Sequence, residues 1–254
     1  MQENKQGVFT MIAFFSSSPC IDGADRAILN PGNGFLAHLR HALPETPKCL
    51  FICSNPDDRF GTCRFGADMF LAFAEAGMPF SGYQILDGYN QQDAAELIAW
   101  SDLIILAGGH VPTQNRFFQE IDLASLIQGY EGVVLGISAG TMNSAETVYA
   151  QPEESGESID PDYQRFVPGL GLTQAQICPH YQKVKHYTLD GQRLFEDITY
   201  GDSMGHTFFA LPDGSYILCK DGKEILFGEA YRIRNGILEQ VCINGKSVNL
   251  AKLY

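Results

Sequence analysis

Ser138 stands at the centre of Gly136-Ile137-Ser138-Ala139-Gly140, and a serine so placed is a candidate nucleophile. Glycine two residues before it and two after suits a strand that turns sharply into a helix, because the turn crowds the backbone and a residue without Cβ fits there. A Gly-rich turn without chemistry has the same pattern, so these five residues leave both readings open. Nucleophilic catalysis further needs a base within hydrogen-bond reach, a group to orient that base, and donors for the oxyanion. Gly108 and Gly109 can bring backbone N–H groups close to a substrate. The N–H of Ala139, opening the helix after Ser138, adds the positive end of a helix dipole. Of the six histidines, His38 and His41 fall in an early helix, His186 in a polar segment, and His206 just before a strand. His180 follows the extended run Ile177-Cys178-Pro179 and, taken alone, reads as structural. His180, His186 and His206 lack a standard ligand spacing, so no metal site and no cofactor are expected.

The elements that must position these groups are legible as apolar runs. Val8–Phe15, Cys49–Cys53, Tyr83–Leu86, Leu103–Leu106 and Val133–Ile137 read as strands, the last rich in β-branched residues and suited to burial on both faces. Phe35–Ala42, a segment containing Met69–Ala76 and ended by Gly77 and Pro79, Asp93–Trp100 and Phe117–Ile127 read as helices. The alternation predicts an α/β fold with a mostly parallel sheet covered by helices on both faces. Ligands of such a sheet bind beyond the carboxyl ends of its strands, where Gly108-Gly109 and Ser138 both fall. The segment from Gln151 to Pro168 carries Glu153, Glu154, Glu157, Asp160 and Asp162 against Arg165 alone, and reads as a flap or solvated loop. From Gly205 the pattern becomes hairpin-like, with runs Phe208–Leu211, Tyr216–Cys219, Glu224–Phe227, Ala230–Arg234 and Leu238–Ile243. Turn dipeptides Asp213-Gly214, Asp221-Gly222, Asn235-Gly236 and Asn244-Gly245 separate them.

A chain of 254 residues, 45% hydrophobic and without a linker, suits one α/β domain over residues 1–254. Its net charge of −13 and the lack of a basic run with interleaved aromatics argue against nucleic acid. No stretch approaches a membrane span, and Val8–Phe15 is too short and poorly flanked for a signal peptide. Seven scattered cysteines without a CxxC pair read as reduced thiols, and the expected location is cytoplasmic.

Ala107-Gly108-Gly109, the Gly-x-Ser-Ala-Gly elbow, Cys178-Pro179-His180-Tyr181 and Leu211-Pro212-Asp213-Gly214, in this order, resemble the peptidase E (α-aspartyl dipeptidase) and cyanophycinase family of serine peptidases. The resemblance spans about residues 100 to 230. It implies a three-layer αβα sandwich similar to class I glutamine amidotransferases, with C-terminal β-hairpins. It also implies that Ser138 is the nucleophile, His180 the general base and Asp213 the orienting acid, with Gly109 and Ala139 N–H groups as the oxyanion hole. Asp213 is one methylene shorter than the family's usual Glu, and as part of Asp-Gly it also reads as a plain hairpin turn. His110 stands where the family often has Asn, and either touches substrate or caps the next turn.

In peptidase E a basic side chain shortly after the elbow is expected to hold the substrate aspartate. Here no Arg or Lys follows Ser138 before Arg165, and Tyr149 stands about where that cation is expected. Glu153, with Glu146 and Glu154, would repel a carboxylate and attract a free α-amine. The reading is an exopeptidase or dipeptidase acting on short peptides, without strict need for N-terminal Asp; Lys183, Lys185 and Arg59 are the cations that would overturn it. A catalytically inactive relative that binds a ligand or partner in the same crevice is the alternative, as is an α/β-hydrolase using Asp202 and His206. The expected partner is a short peptide; a homodimer is left open.

Overall fold

The computed structural model describes residues 11–254, so Val8, Phe9 and Thr10 of the expected first strand lie outside the described residues. The apolar runs form β1 (Ile12–Ser16), β2 (Lys48–Ile52), β3 (Gly82–Leu86), β4 (Leu103–Leu106) and β5 (Val133–Ile137), all parallel, in the order β3-β2-β4-β5-β1. Successive side chains of a strand point to opposite faces. Phe14, Phe51, Ile105 and Leu135 therefore enter one core, while Phe15, Leu50, Ile104 and Val134 enter the other. The first core is closed by α1 (Phe35–Ala42) and α2 (Arg59–Glu75). The second is closed by α3 (Ala94–Trp100), α4 (Val111–Glu120) and α5 (Leu123–Leu126). The fold is thus a mostly parallel sheet flanked by helices, as the alternation predicts.

Two helices differ from expectation. α2 begins at Arg59, where Asp58 Oδ1 accepts the Gly61 N–H at 2.9 Å as a cap. Gly61 and Gly66 blur its sequence signal, and Gly66 is needed because a Cβ there would run into the Tyr83 hydroxyl. The single helix expected over Phe117–Ile127 is divided between α4 and α5, separated near Asp122, whose φ of 50° is not helical.

After β5 come α6 (Ala139–Met142) and the antiparallel pair β6 (Thr147–Tyr149) and β7 (Phe166–Pro168), so the end of the acidic segment is a strand. β8 (Gln176–Cys178), α7 (Tyr181–Val184) and the small hairpin β9 (Thr188–Leu189) and β10 (Gln192–Arg193) follow. A π-helical turn over Leu194–Thr199 then leads to α8 (Tyr200–Asp202). The remaining strands are β11 (Thr207–Ala210), β12 (Tyr216–Lys220), β13 (Lys223–Phe227), β14 (Ala230–Arg234), β15 (Ile237–Cys242) and β16 (Ser247–Asn249).

These late strands are not a run of consecutive hairpins. β12, β13 and β16 extend the main sheet antiparallel from β1, making eight strands, whereas β8, β11, β14 and β15 build a second sheet of four. Asp221-Gly222 and Asn235-Gly236 are tight hairpin turns with positive φ at both residues. Asp213-Gly214 and Asn244-Gly245 instead carry the chain from one sheet to the other. Asp213 is therefore not in a hairpin turn, which removes the plain reading of that dipeptide.

Candidate active site

The ends of β1, β4, β5, β8 and β11 converge beyond the carboxyl edge of the main sheet, where it meets the second sheet. Ser138 occupies the sharp turn from β5 into α6 with φ 50° and ψ −109°, a strained backbone for a residue carrying a Cβ. The turn is pinned by Ser138 N–H to Ser16 O at 3.1 Å and Gly140 N–H to Ala107 O at 3.1 Å. Both flanking glycines have a packing reason: a Cβ on Gly136 would collide with Thr141, and one on Gly140 with the Leu106 carbonyl. Gly109 likewise leaves room for the Ser54 side chain. Its backbone and Ser138 border the same cavity, and Ala139 is the first residue of α6, whose first-turn N–H groups have no intrahelical acceptor.

His180 follows β8 and Pro179 in a left-handed conformation, φ 56° and ψ 29°. Its Nε2 lies 2.9 Å from Ser138 Oγ and its Nδ1 2.6 Å from Asp213 Oδ1. Asp213 is nearly closed to solvent, its side chain 4% exposed. Burial opposes its ionisation, but the hydrogen bond from His180, the ion pair with Lys183 and the hydrogen bond from Ser17 outweigh that and hold its carboxyl well below the usual carboxylate range. An ionised carboxylate only accepts, so the Nδ1 of His180 carries the proton and Nε2 turns its lone pair to Ser138. The three side chains that the motifs single out are brought into one hydrogen-bonded chain, an arrangement able to deprotonate a serine hydroxyl and return the proton to a leaving group.

A cavity of about 220 Å³ opens beside Ser138 and His180. Val111, Met142, Val184, Tyr187 and Leu194 make its apolar wall, with Gln151 and Glu153 as polar members. Glu153 is exposed as a residue, yet its carboxylate accepts the Val111 N–H at 2.9 Å; burial of that carboxylate raises its pKa. The acidic segment thus reaches the cavity through its first residues. It is tied there by Glu157, which meets His110 Nε2 at 2.7 Å and accepts the Glu153 and Glu154 N–H groups, each at 2.9 Å. Those three hydrogen-bonding groups outweigh burial and lower the pKa of Glu157.

Two expected substrate contacts are placed elsewhere. Tyr149 is 1% exposed, stacks on Phe208 at 4.2 Å and donates its hydroxyl to Asp202 at 2.8 Å. It belongs to the core under the second sheet, because β6 turns that side chain inward. His110 precedes α4 with both ring nitrogens engaged, by Thr113 at 2.7 Å and by Glu157, and it does not border the cavity. His110, Glu154 and Glu157 bring ligand atoms within 4.8 Å of one another, the arrangement that could hold a metal ion among the described residues. The present partners of His110 and Glu157 make those two a tie for the loop.

Of the remaining cations Lys185 does not border the cavity, and the other two, like the second acid–base pair, are engaged elsewhere. Lys183 reaches Asp213 and Asp22, and Arg59 lies 3.9 Å from Asp87 and over the Tyr89 ring. Asp202 is taken by Tyr149, and His206 stacks on Phe166 at 4.2 Å, so the imidazole against Ser138 is that of His180. Sequence reasoning missed Ser17, which touches both His180 and Asp213, and the apolar wall of the cavity. Ser17 had one available signal: it directly follows β1 at the carboxyl edge where ligands of such sheets bind.

The sequence profile of peptidase family S51 matches residues 47–227, well over half of the chain and including Ser138, His180 and Asp213. No curated protein sequence matches. Among solved structures, a peptidase from an acI-B1 Actinobacterium superposes with a TM-score of 0.62 at 16% identity, covering 96% of this chain and 98% of its own. A peptidase E candidate from Listeria monocytogenes EGD-e gives 0.58 at 14% identity, covering 91% and 99%. Likeness at such identities speaks for the fold, and the profile match for the lineage: this chain belongs to peptidase family S51 and is a serine peptidase.

Proposed function

We propose that the protein is an exopeptidase that hydrolyses short peptides with a free N-terminus through an acyl-enzyme on Ser138. The observation that carries this reading is the unbroken chain Ser138 Oγ, His180 Nε2, His180 Nδ1, Asp213 Oδ1, with contacts of 2.9 and 2.6 Å. His180 takes the Ser138 proton as Oγ bonds to the scissile carbonyl carbon. The oxyanion is received by the N–H groups of Gly109 and Ala139. The same proton then passes to the leaving amine, and water, deprotonated by His180, releases the acyl group.

The cavity beside Ser138 supports the specificity. Glu153 offers a carboxylate to the substrate's α-ammonium group. The apolar wall has no lysine or arginine among its described residues, and Lys183, three residues after His180, is already paired with Asp213 and Asp22. A substrate carboxylate placed there would lose hydration without a compensating partner. An uncharged, preferably apolar, side chain is the expected occupant. Tyr149 plays no part in this; the wall formed by Val111, Met142, Val184, Tyr187 and Leu194 takes its place.

A dipeptide and tripeptide library assayed with wild type and Ser138→Ala in parallel tests the proposal, together with labelling by a fluorophosphonate. Turnover and labelling lost in Ser138→Ala are expected. Activity retained in that variant refutes the mechanism, and a wild type that neither labels nor turns over any peptide would be an inactive binding relative.

A further inference from the structure

The Asp213 carboxylate is held by more than His180. Oδ1 accepts from Ser17 Oγ at 2.8 Å as well as from His180 Nδ1, and Oδ2 lies 2.9 Å from Lys183 Nζ, an ion pair rather than an aligned hydrogen bond. The Ser17 hydroxyl, fully buried, also accepts the His180 N–H at 2.7 Å. Lys183, in α7 three residues after His180, has a second anchor in Asp22 at 2.7 Å. The Asp213 N–H donates to Gln182 Oε1 at 3.0 Å.

We infer that Ser17 and Lys183 are positioning residues that lock the Asp213 carboxylate onto His180, Ser17 by clasping the side chain of one and the backbone of the other. The inference rests on the reading that Ser138, His180 and Asp213 do the chemistry. A carboxylate bound through one oxygen alone can swing about its terminal torsion. One bound through both oxygens cannot, and the acceptor then stays in the plane that Nδ1 requires. Ser17 has a second duty, because His180 carries a Cβ in a left-handed conformation that the chain adopts only when its surroundings demand it. The Ser17 acceptor for its N–H supplies that demand at the residue whose ring must be aimed.

The charges facing Asp213 are Lys183 and the His180 ring, with Asp22 beyond Lys183; the Cys20 thiol also feels the Asp213 charge. Lys183 draws on the same carboxylate that stabilises a charged imidazole during turnover. Removing its cation leaves more of that negative charge to the imidazole, so protonation of the base is favoured at higher pH. Neither Ser17 nor Lys183 borders the cavity, so substrate binding should be little affected.

The test is kcat, KM and the pH profile of kcat/KM for Lys183→Met, Lys183→Arg and Ser17→Ala, with Ser138→Ala as reference. Ser17→Ala should lower kcat about 10- to 100-fold, the loss of one hydrogen bond to a charged group. Lys183→Met should lower kcat severalfold at unchanged KM and move the acid limb of the profile to higher pH, and Lys183→Arg should recover both. Lys183 is half exposed, so its variants report even if Ser17→Ala fails to fold. Wild-type kcat and pH profile in Lys183→Met, with Ser138→Ala inactive, overturn the inference and leave the proposed mechanism standing. An active Ser138→Ala overturns both.

Discussion

Replacing Asp213 by Asn keeps the volume of the side chain and removes one charge, and the geometry lets the outcome be worked out. With its amide oxygen toward His180, the new residue keeps the contact but points its NH2 at Lys183, donor against donor. With the amide reversed, NH2 faces Nδ1, which must then accept; the imidazole proton moves to Nε2 and the lone pair that should face Ser138 is gone. In either case the anion opposite the charged imidazole of the transition state is lost. A unit charge about 4 Å away at an effective dielectric constant of about 20 contributes about 4 kcal/mol. At about 1.36 kcal/mol per tenfold change, that is about 10³ in rate. The wrong tautomer adds to this, and the equivalent change in the well-studied Ser-His-Asp triad costs about 10⁴ in kcat. Asp213→Asn should therefore lose about 10³- to 10⁴-fold in kcat with little change in KM and an unchanged circular dichroism spectrum. Activity within tenfold of wild type would refute the reasoning, and would reduce Asp213 to a residue of the crossover between the sheets.

Three further outcomes follow from the cavity. The value of kcat/KM for Asp-Leu should not exceed that for Ala-Leu or Phe-Leu; a preference for Asp of a hundredfold or more, worth about 2.7 kcal/mol, contradicts a cation-free pocket. Glu153→Gln should raise KM for peptides with a free N-terminus and leave that for N-acetylated ones unchanged. Burial raises the Glu153 pKa, so its carboxylate is lost on acidification earlier than an ordinary one. The wild-type KM for free peptides should therefore climb as pH falls through that raised value, while Glu153→Gln shows no such climb; equal profiles for the two proteins would exclude Glu153 from binding the amine.

Much of the molecule is written locally in its chain. The elbow at Ser138 is legible because part of the crowding it relieves is local, Gly136 against Thr141, although that of Gly140 comes from the end of β4. The five parallel strands are legible because burial on both faces demands continuous apolar runs, and α1 matches its expected limits of Phe35–Ala42. What the chain does not write locally is partnership. Asp213-Gly214 and Asp221-Gly222 carry the same turn signal, but only the second joins paired strands; the first leaves β11 for a different sheet, a choice made by which edges remain open. Tyr149 stands where a substrate contact is expected by counting from Ser138, yet strand alternation in β6 sends it into the core. Ser17 meets Asp213 across 196 residues of sequence, and His180 meets Ser138 across 42. The sequence alone determined the elbow, the strands and the residue types able to do the chemistry, because periodicity and turn sterics act over a few residues. The tertiary structure alone decided which acid faces which base, which cations are already paired and which side chains wall the cavity, because those depend on contacts between segments that only the packing of two sheets brings together.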